Sequence, residues 1–343
     1  MAGPASYARL VPKIRVMKSQ LLTQDRYREM MASSELKDAL SQLRDSLYSE
    51  AADAANLEVA IRILETLYFK YLDKLARESP EEVLRVINAF RMDYELRDVL
   101  SAMQRVAIGS PGFMEYPTYY IDGSILKMLS QDPEAQTSVT RFLDAIQGTW
   151  AYTYADMAVQ LYNETKNPQL ISWIHLPASI ELYSSVLEEL RDPALQGILC
   201  PLIEYKISAS LIQAKLSEIE SRIITRLISR VKSCGVDASL LRQMYEREAT
   251  PQDLASSLRE ALKYVRPEGE DLGAILHSAR MSLKAALKRG VERAFQGYPF
   301  SPAIAAAGAV MLRFEVENII AILSSIELKL KVDEYSKILI ISR

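Results

Sequence analysis

The chain has 343 residues, of which 49% are apolar and 25% are charged, and its formal net charge is −3. This is the composition of a soluble globular protein of two or three domains, and it gives no general affinity for nucleic acid. Glycine is scarce at 12 residues, and no Asn-Gly turn separates alternating strand patterns, so the sequence predicts an all-α fold.

Helix starts are marked along the chain by a capping residue followed by proline. Six such pairs occur: Ser79-Pro80, Asp132-Pro133, Asn167-Pro168, Asp192-Pro193, Thr250-Pro251 and Ser301-Pro302. Glu82 and Asp253 follow two of the capping residues by three positions, which predicts capping boxes there. Gly290 follows the basic run LKAALKR and predicts the end of another helix.

Similar segments recur along the chain at a period of about 110 residues. Three related segments end at Tyr48, Tyr152 and Tyr264. Three helices that are apolar on every face carry a glutamate, and these glutamates are Glu95, Glu204 and Glu315, spaced 109 and 111 residues apart. We expect such helices at the centres of bundles. The pattern predicts three helical units in a row, with approximate boundaries 1–112, 113–232 and 233–343.

The last apolar stretch, GYPFSPAIAAAGAVMLRFEVENII, predicts a buried helix and not a membrane span. Its continuous apolar part, from Ala303 to Leu312, is ten residues long, whereas a spanning helix needs about 20. Ser301 and Pro302 fit the N-cap and first helical position. Glu315 and Asn318 follow on the same helix and must find partners in the core, because an unpaired buried carboxylate is costly. We expect both to hold the core of the third unit. The alternative is that the three glutamate-bearing helices line a cavity or an interface.

No set of residues in the sequence has the spacing of a catalytic, metal or nucleotide site. The two histidines, His175 and His277, have no local partner and are interpreted as structural or surface residues. Cys200 and Cys234 form no Cys-x-x-Cys motif and are expected to stay unpaired in a reducing compartment. Phosphate-binding glycine motifs are missing, so we expect no cofactor, no metal and no direct nucleotide binding.

Two basic stripes each follow one face of a predicted helix. The first stripe is Arg222, Arg226 and Arg230, and the second is Arg280, Lys284 and Lys288. A solvated outer face explains such stripes, because charge on that side of an amphipathic helix is usual. A docking surface for an acidic protein partner is the sharper alternative. Nucleic acid is less favoured, since no aromatic residues interleave with the cations.

Three segments together resemble one family, the C subunits of the A-type and V-type rotary ATPases, whose eukaryotic equivalent is called d. The N-terminal segment YARLVPKIRVMKSQLL, with a later tyrosine and a leucine-rich helix ending in Tyr48, is similar to the family's first motif. GYPFSPAIAAAGAVMLRFEVENIIAI resembles its C-terminal motif, and IDGSILKML followed by SVTRFLDAIQGTWAY resembles an internal one. The middle repeat departs from the pattern, because Ile207 stands where the family tends to have asparagine.

The resemblance implies a funnel-shaped, all-helical, non-catalytic protein with three pseudo-repeated bundles around a central opening. It implies a position on the cytoplasmic side of the membrane proteolipid ring, where the lower end of the central stalk enters the funnel and torque is transmitted for H⁺ or Na⁺ transport. The expected partners are the stalk proteins and the ring, without nucleic acid. The alternatives are a helical-repeat adaptor unrelated to a rotary motor, a nucleic-acid-binding helical protein and, more remotely, an enzyme.

Overall fold

A computed structural model describes residues 7–77, 79–110, 116–228, 234–246 and 250–330, apart from the side chains at 225–228, 238 and 244. Every regular element in this part of the chain is helical, which confirms the predicted all-α class. The α-helices are α1 Leu10–Ser19, α2 Gln24–Ala32, α3 Leu36–Ser41, α4 Leu57–Ala76, α5 Glu81–Ala107, α6 Ile125–Ser130, α7 Val139–Ala145, α8 Tyr152–Thr165, α9 Gln169–Trp173, α10 His175–Leu190, α11 Pro193–Leu216, α12 Ser221–Ile228, α13 Ala238–Glu246, α14 Pro251–Ala261, α15 Leu272–Gln296 and α16 Ala303–Glu327. Short 3₁₀ helices lie at Ser49–Ala51, Pro117–Tyr120 and Pro133–Gln136.

Three long helices, α5, α11 and α16, form the centre of the molecule. Their apolar side chains are buried on nearly all faces, as the sequence predicts for the helices that carry the repeated glutamates. In α16 every residue from Ala303 to Leu312 is buried, so the charge-free stretch is a core helix as predicted. The helix begins at Ala303, and the Ser301 hydroxyl accepts the Ala303 N–H at 3.1 Å.

The two ends of the described chain pack against each other. Helix α16, near the C-terminal end, contacts α1, α2 and α3, and it also contacts α4, α5, α11 and α15. A Cβ added to Gly308 of α16 would lie 3.3 Å from the Ile14 side chain of α1, which shows how closely these helices approach. The N-terminal segment therefore completes the packing around the last helix.

The predicted N-cap is confirmed at three of the six proline pairs, at Asp132, Asp192 and Thr250. At Asn167 and Ser301 the helix begins one residue later than predicted, with the proline as N-cap, and the side chain accepts the N–H two residues on. Asp192, which precedes α11, accepts the N–H groups of Ala194 and Leu195, and Thr250 forms the predicted capping box with Asp253 at α14. At Ser79 the capping box is wrong. The Ser79 hydroxyl donates to the Leu75 carbonyl, and Glu82 instead accepts the phenolic proton of Tyr7 at 2.5 Å.

Gly290 does not end a helix, because α15 continues through it to Gln296. The glycine lies where α15 crosses α11. A Cβ at Gly290 would come within 2.4 Å of the Gly197 carbonyl oxygen and 3.1 Å of its carbon. The residue is therefore selected by close helix packing and not by a helix C-terminus.

Cys200 and Cys234 are disulfide-bonded, with their Cα atoms 5.4 Å apart, which corrects the expectation that they stay unpaired. Cys200 lies in α11, and α12 contacts α11 after the chain turns back, so that the following segment returns to this helix. No local motif predicts the bond, because the cysteines are 34 residues apart.

Among the described helices, Pro193–Leu216 is the one whose length and composition would suffice to cross a membrane. Its most apolar window is 72% buried inside the fold, and core helices pass the same test. In this structure α11 packs against α10, α15 and α16.

Candidate partner-binding pocket

A solvent-accessible pocket of about 340 Å³ opens where α5, α11 and α16 converge. We call it the interhelical pocket. Helices α4, α10 and α15 complete its wall. Its lining combines apolar and aromatic side chains with charged ones. The charged lining residues are Asp93, Arg97, Lys206, Arg280, Lys284, Arg313 and Glu317.

The three central helices present comparable positions to this pocket. Each helix contributes to the lining, among other residues, the two residues that stand two positions before and two positions after the repeated glutamate. These pairs are Asp93 and Arg97 on α5, Leu202 and Lys206 on α11, and Arg313 and Glu317 on α16. The glutamates themselves point elsewhere, because residues two positions apart lie on different faces of a helix. The sequence pattern therefore identified the helices that line the pocket, but it pointed to the glutamates, which lie on a different face of each helix.

Asp93 is the centre of a hydrogen-bonded network on one side of the interhelical pocket. Its carboxylate accepts from His175 Nε2 at 2.8 Å and Lys206 Nζ at 3.1 Å, and from the hydroxyls of Ser179 and Tyr183. Burial alone would raise the pKa of Asp93, but Lys206, His175 and these hydrogen bonds hold it well below its usual range. Asp93 is therefore a fully partnered anion that neutralises Lys206.

His175 belongs to the same network, which confirms its prediction as a structural histidine. Burial lowers its pKa, and Lys206 acts in the same direction while Asp93 opposes both. The imidazole is therefore neutral at pH 7, and its Nε2–H serves as a donor to Asp93. His277 is exposed on α15, in agreement with the predicted surface role.

A second network links α16 to α4 and α5. Arg313 Nε donates to Glu317 at 2.7 Å, and its guanidinium lies 4.2 Å from the centre of the Tyr94 ring. Glu65, behind the lining, lies 3.6 Å from Arg97 and 3.8 Å from Arg313. Arg97 also donates twice to the buried carboxylate of Asp98, at 2.9 and 2.8 Å. Each of these two arginines thus contacts at least two carboxylates.

The three residues of the predicted basic stripe on α15 lie in different environments. Arg280 and Lys284 line the interhelical pocket, whereas Lys288 is exposed outside it. Lys284 is only 7% exposed, so the three residues do not share one solvated face. Burial lowers the pKa of Lys284, while Glu317 raises it. Arg280 lies 3.8 Å from the same Glu317, which therefore faces cations from both α15 and α16.

The other predicted stripe lies mostly outside the described residues. Arg222 lies in the first turn of α12, is exposed, and pairs with Glu220 at 2.5 Å. The side chain of Arg226 and the whole of Arg230 are outside the described part of the chain.

The three repeated glutamates each accept backbone N–H groups from a distant segment. Glu95 accepts from Ile125 at 2.6 Å, and Glu315 accepts from Leu22. Glu204 accepts from three successive residues, Lys263, Tyr264 and Val265, at 3.0, 2.6 and 2.8 Å. Burial raises the pKa of both Glu95 and Glu204 against these hydrogen bonds.

The position three residues after each glutamate is buried in all three helices. Asp98 accepts from Thr118 as well as from Arg97, and Asn318 is hydrogen-bonded to Tyr27. Ile207 packs in the apolar core of α11, which agrees with the expectation that this position of the middle repeat has no polar role. These contacts join helices and leave no reacting group free among them.

Sequence reasoning missed Asp93, Arg97 and Tyr94. The available signal was that charged residues stand two positions from the repeated glutamate on each central helix. Such a set of cations, carboxylates and tyrosines in a partly apolar pocket is suited to binding charged groups of a partner.

A family model described as ATP synthase (C/AC39) subunit matches residues 10–338 of this chain. The C subunit of the A-type ATP synthase from Pyrococcus abyssi (strain GE5 / Orsay) is 23% identical over an alignment of 328 positions that spans 92% of this chain and 85% of that protein. The protein of the same name from Pyrococcus horikoshii (strain ATCC 700860 / DSM 12428 / JCM 9974 / NBRC 100139 / OT-3) is 22% identical over an alignment of 352 positions, gaps included, that spans 95% of this chain and 88% of that protein. The chain therefore belongs to the ATP synthase (C/AC39) subunit family.

Proposed function

We propose that this chain is a non-catalytic connector in the rotor of a rotary A-type ATP synthase, joining the central stalk to the membrane proteolipid ring. The relatives that it matches over 85% and 88% of their length are C subunits of A-type ATP synthases. The observation that carries the proposal is the interhelical pocket, in which three central helices of the same pattern surround one opening. An opening of this kind gives a stalk a place to enter.

We further propose that the chain is built from three pseudo-repeated bundles arranged as a funnel around that opening. The register of the central helices supports this. Fourteen residues after each glutamate the backbone adopts a positive φ, at Gly109, Glu218 and Lys329. At each of these ends the N–H of the next residue bonds back to the carbonyl five positions earlier, as in a Schellman motif. The helices thus match from the glutamate to the C-cap.

The proposed units, near 1–112, 113–232 and 233–343, interlock through the glutamates. Glu95 of the first unit bonds Ile125 of the second, and Glu204 of the second bonds residues 263–265 of the third. Glu315 of the third unit bonds Leu22 of the first. A cyclic set of such contacts suits a part that must transmit torque, because load on one unit passes to both neighbours.

In this proposal the stalk meets the pocket side and the ring lies below, so that the chain is a peripheral protein on the cytoplasmic face of the membrane. The two predicted basic stripes are candidate contacts with these partners. Ion transport, of H⁺ or Na⁺, would take place in the ring and its stator, which leaves no reaction for this chain to catalyse.

A mild-detergent purification of the tagged chain from its host's membranes tests the proposal. We expect the stalk proteins, the proteolipid and the nucleotide-binding proteins of the complex to be recovered together and identified by mass spectrometry. Recovery of the chain alone, or with unrelated proteins, would contradict it and favour a generic helical adaptor.

A further inference from the structure

The charges of the interhelical pocket are not balanced by its own lining. Five cationic side chains line it against two carboxylates, Asp93 and Glu317. Asp93 is already bonded to Lys206 and to three neutral donors. Behind the wall, Asp98 neutralises Arg97, and Glu65 lies between Arg97 and Arg313, so that these two arginines share it. The unbalanced charge therefore lies on the side formed by α15 and α16.

On that side three cations surround a single carboxylate of the lining. Arg313 bonds Glu317 at 2.7 Å, Arg280 lies 3.8 Å from it, and Lys284 interacts with it electrostatically. Lys284 is only 7% exposed to solvent, and Glu317 offsets part of the cost of burying its charge. Arg280 keeps 55% of its side chain exposed at the mouth, where an incoming group would meet it.

Apolar side chains lie next to these cations in the same lining. Leu283 and Leu287 of α15 and Val310 and Phe314 of α16 stand between or beside the charged positions. A free inorganic anion would match the cations but would leave this apolar surface uncovered. A protein segment that carries a carboxylate beside apolar residues matches both features.

The size of the pocket limits how much of a partner can enter. Its volume of about 340 Å³ lies at the low end of the range for ligand pockets, which is about 300–1,000 Å³. The pocket therefore suits a few side chains of a partner, such as those at the tip of a protein segment, and not a folded domain.

We propose that Arg280, Lys284 and Arg313 bind carboxylates at the tip of a partner protein segment that enters the interhelical pocket. The inference rests on the proposed function, in which that segment is the lower end of the central stalk. It adds the chemistry of the contact: an acidic tip with apolar neighbours, recognised by the α15 and α16 side of the pocket.

Calorimetric titration of the purified full chain with the purified stalk proteins of the same complex tests the inference. Arg280→Glu should weaken binding at least tenfold, because it places an anion at the mouth. Glu317→Gln should tighten binding at least twofold, because it removes a competing carboxylate and keeps an acceptor for Arg313. Arg289→Glu is the matched control, an exposed charge reversal on α15 outside the pocket, and should stay within twofold of wild type.

Lys284→Met provides a second variant that keeps the volume and apolar stem of the buried side chain while removing its charge. We expect it to weaken binding about tenfold and to leave the thermal midpoint of the chain within a few degrees. The affinity of the wild type should also fall more steeply with salt between 50 and 200 mM than that of Arg280→Glu, since one fewer charge pair is screened.

The outcomes separate the inference from the proposed function. Wild type that binds the stalk, with Arg280→Glu and Lys284→Met binding equally well, would overturn the inference and leave the connector role intact. Equal weakening by Arg280→Glu and Arg289→Glu would overturn it too, because long-range charge would then suffice. Wild type that fails to bind the stalk would overturn both. Micromolar binding of ATP that is lost in Arg280→Glu would reassign the pocket to a soluble anion.

Discussion

At the scale of single residues, buried carboxylates connect elements that are distant in the sequence. Glu204 is fully buried in α11 and accepts three successive backbone N–H groups just after α14, where the chain has left the helix and these donors need another acceptor. Asp93 of α5 accepts hydrogen bonds from side chains of α10 and α11 and so joins these three helices. In both places an ionisable group replaces missing hydrogen bonds, and its own burial is offset by several donors.

Glu204→Ala should destabilise the chain by about 3 kcal/mol, because three buried donors lose their acceptor at once. A lower urea midpoint with an unchanged slope would report this loss. Glu164→Ala, at an exposed glutamate of α8, is the control and should change stability by no more than about 0.5 kcal/mol. Equal midpoints for the two variants would contradict the role of Glu204.

The network around His175 predicts a stability that depends on pH. The pKa of His175 is lowered in the folded chain, so below the unfolded value of about 6.5 the unfolded state binds the extra proton. The contribution of His175 to the free energy of unfolding is therefore fully present above that pH. It is lost as the pH drops toward the folded pKa, with a slope of at most about 1.4 kcal/mol per pH unit.

His175→Gln keeps a donor toward Asp93 but cannot titrate. Its unfolding midpoint should consequently vary less than that of wild type between pH 7.5 and 5.5. His277→Gln, at an exposed position of the same residue type, should retain the wild-type dependence. A difference between the midpoints of wild type and His175→Gln that changes in favour of wild type as the pH falls through this range would contradict the sign of the shift.

At the scale of elements, the crossing of α11 and α15 brings two glycines into direct contact. Gly290 of α15 lies against the carbonyl of Gly197, so the helices approach more closely than any side chain would allow. A Cβ at Gly197 meets nothing within 4 Å, so the two glycines are not equivalent. The same crossing brings Arg280 and Lys284 of α15 to the interhelical pocket.

Alanine substitutions at the two glycines of this crossing should change the free energy of unfolding in opposite directions. Gly290→Ala should lower it by about 1–3 kcal/mol, because backbone atoms must move away from the new methyl group. Gly197→Ala should stabilise by up to about 1 kcal/mol, because alanine loses less conformational entropy in a helix. Thermal or urea unfolding of both variants checks this prediction. Lower stability of both variants would contradict it and show that Gly197 is also required for packing.

The disulfide joins α11 to the segment that follows α12. Closing a loop of about 34 residues is worth roughly 3–4 kcal/mol in the chain-entropy picture, so reductant should lower the unfolding midpoint. Without reductant, Cys234→Ser should already unfold at the midpoint that wild type shows in reductant. Adding reductant should not change the midpoint of this variant. Two free thiols by mass spectrometry of the chain alkylated at cell lysis would contradict the bond.

At the scale of the whole molecule, the described chain closes on itself. The first helices pack on α16, and the glutamate of α16 accepts the Leu22 N–H, so the start and end of the described chain form one packed region. The helical class, the central position of the glutamate helices and the burial of the charge-free stretch all followed from the sequence. They depend on local periodicity and apolar content, which a sequence carries directly.

Other features depended on contacts that no local pattern contains. Gly290 resembles a helix end until the carbonyl of Gly197 is placed against it, and Cys234 meets Cys200 only after the chain turns back. Lys284 was predicted as part of a surface stripe, yet α11 and α16 bury it. A cavity between the glutamate-bearing helices was among the sequence alternatives, but most of its lining residues escaped prediction because they lie beside the repeated glutamates and come from six helices.

The measurement that tests the central claim most directly is ion transport by the rotary complex reconstituted in vesicles with and without this chain. The connector role predicts that omission of the chain leaves ATP hydrolysis by the soluble sector intact and abolishes ATP-driven ion uptake, with uptake restored when the purified chain is added back. Undiminished ion uptake without the chain, or loss of ATP hydrolysis by the isolated soluble sector, would contradict it.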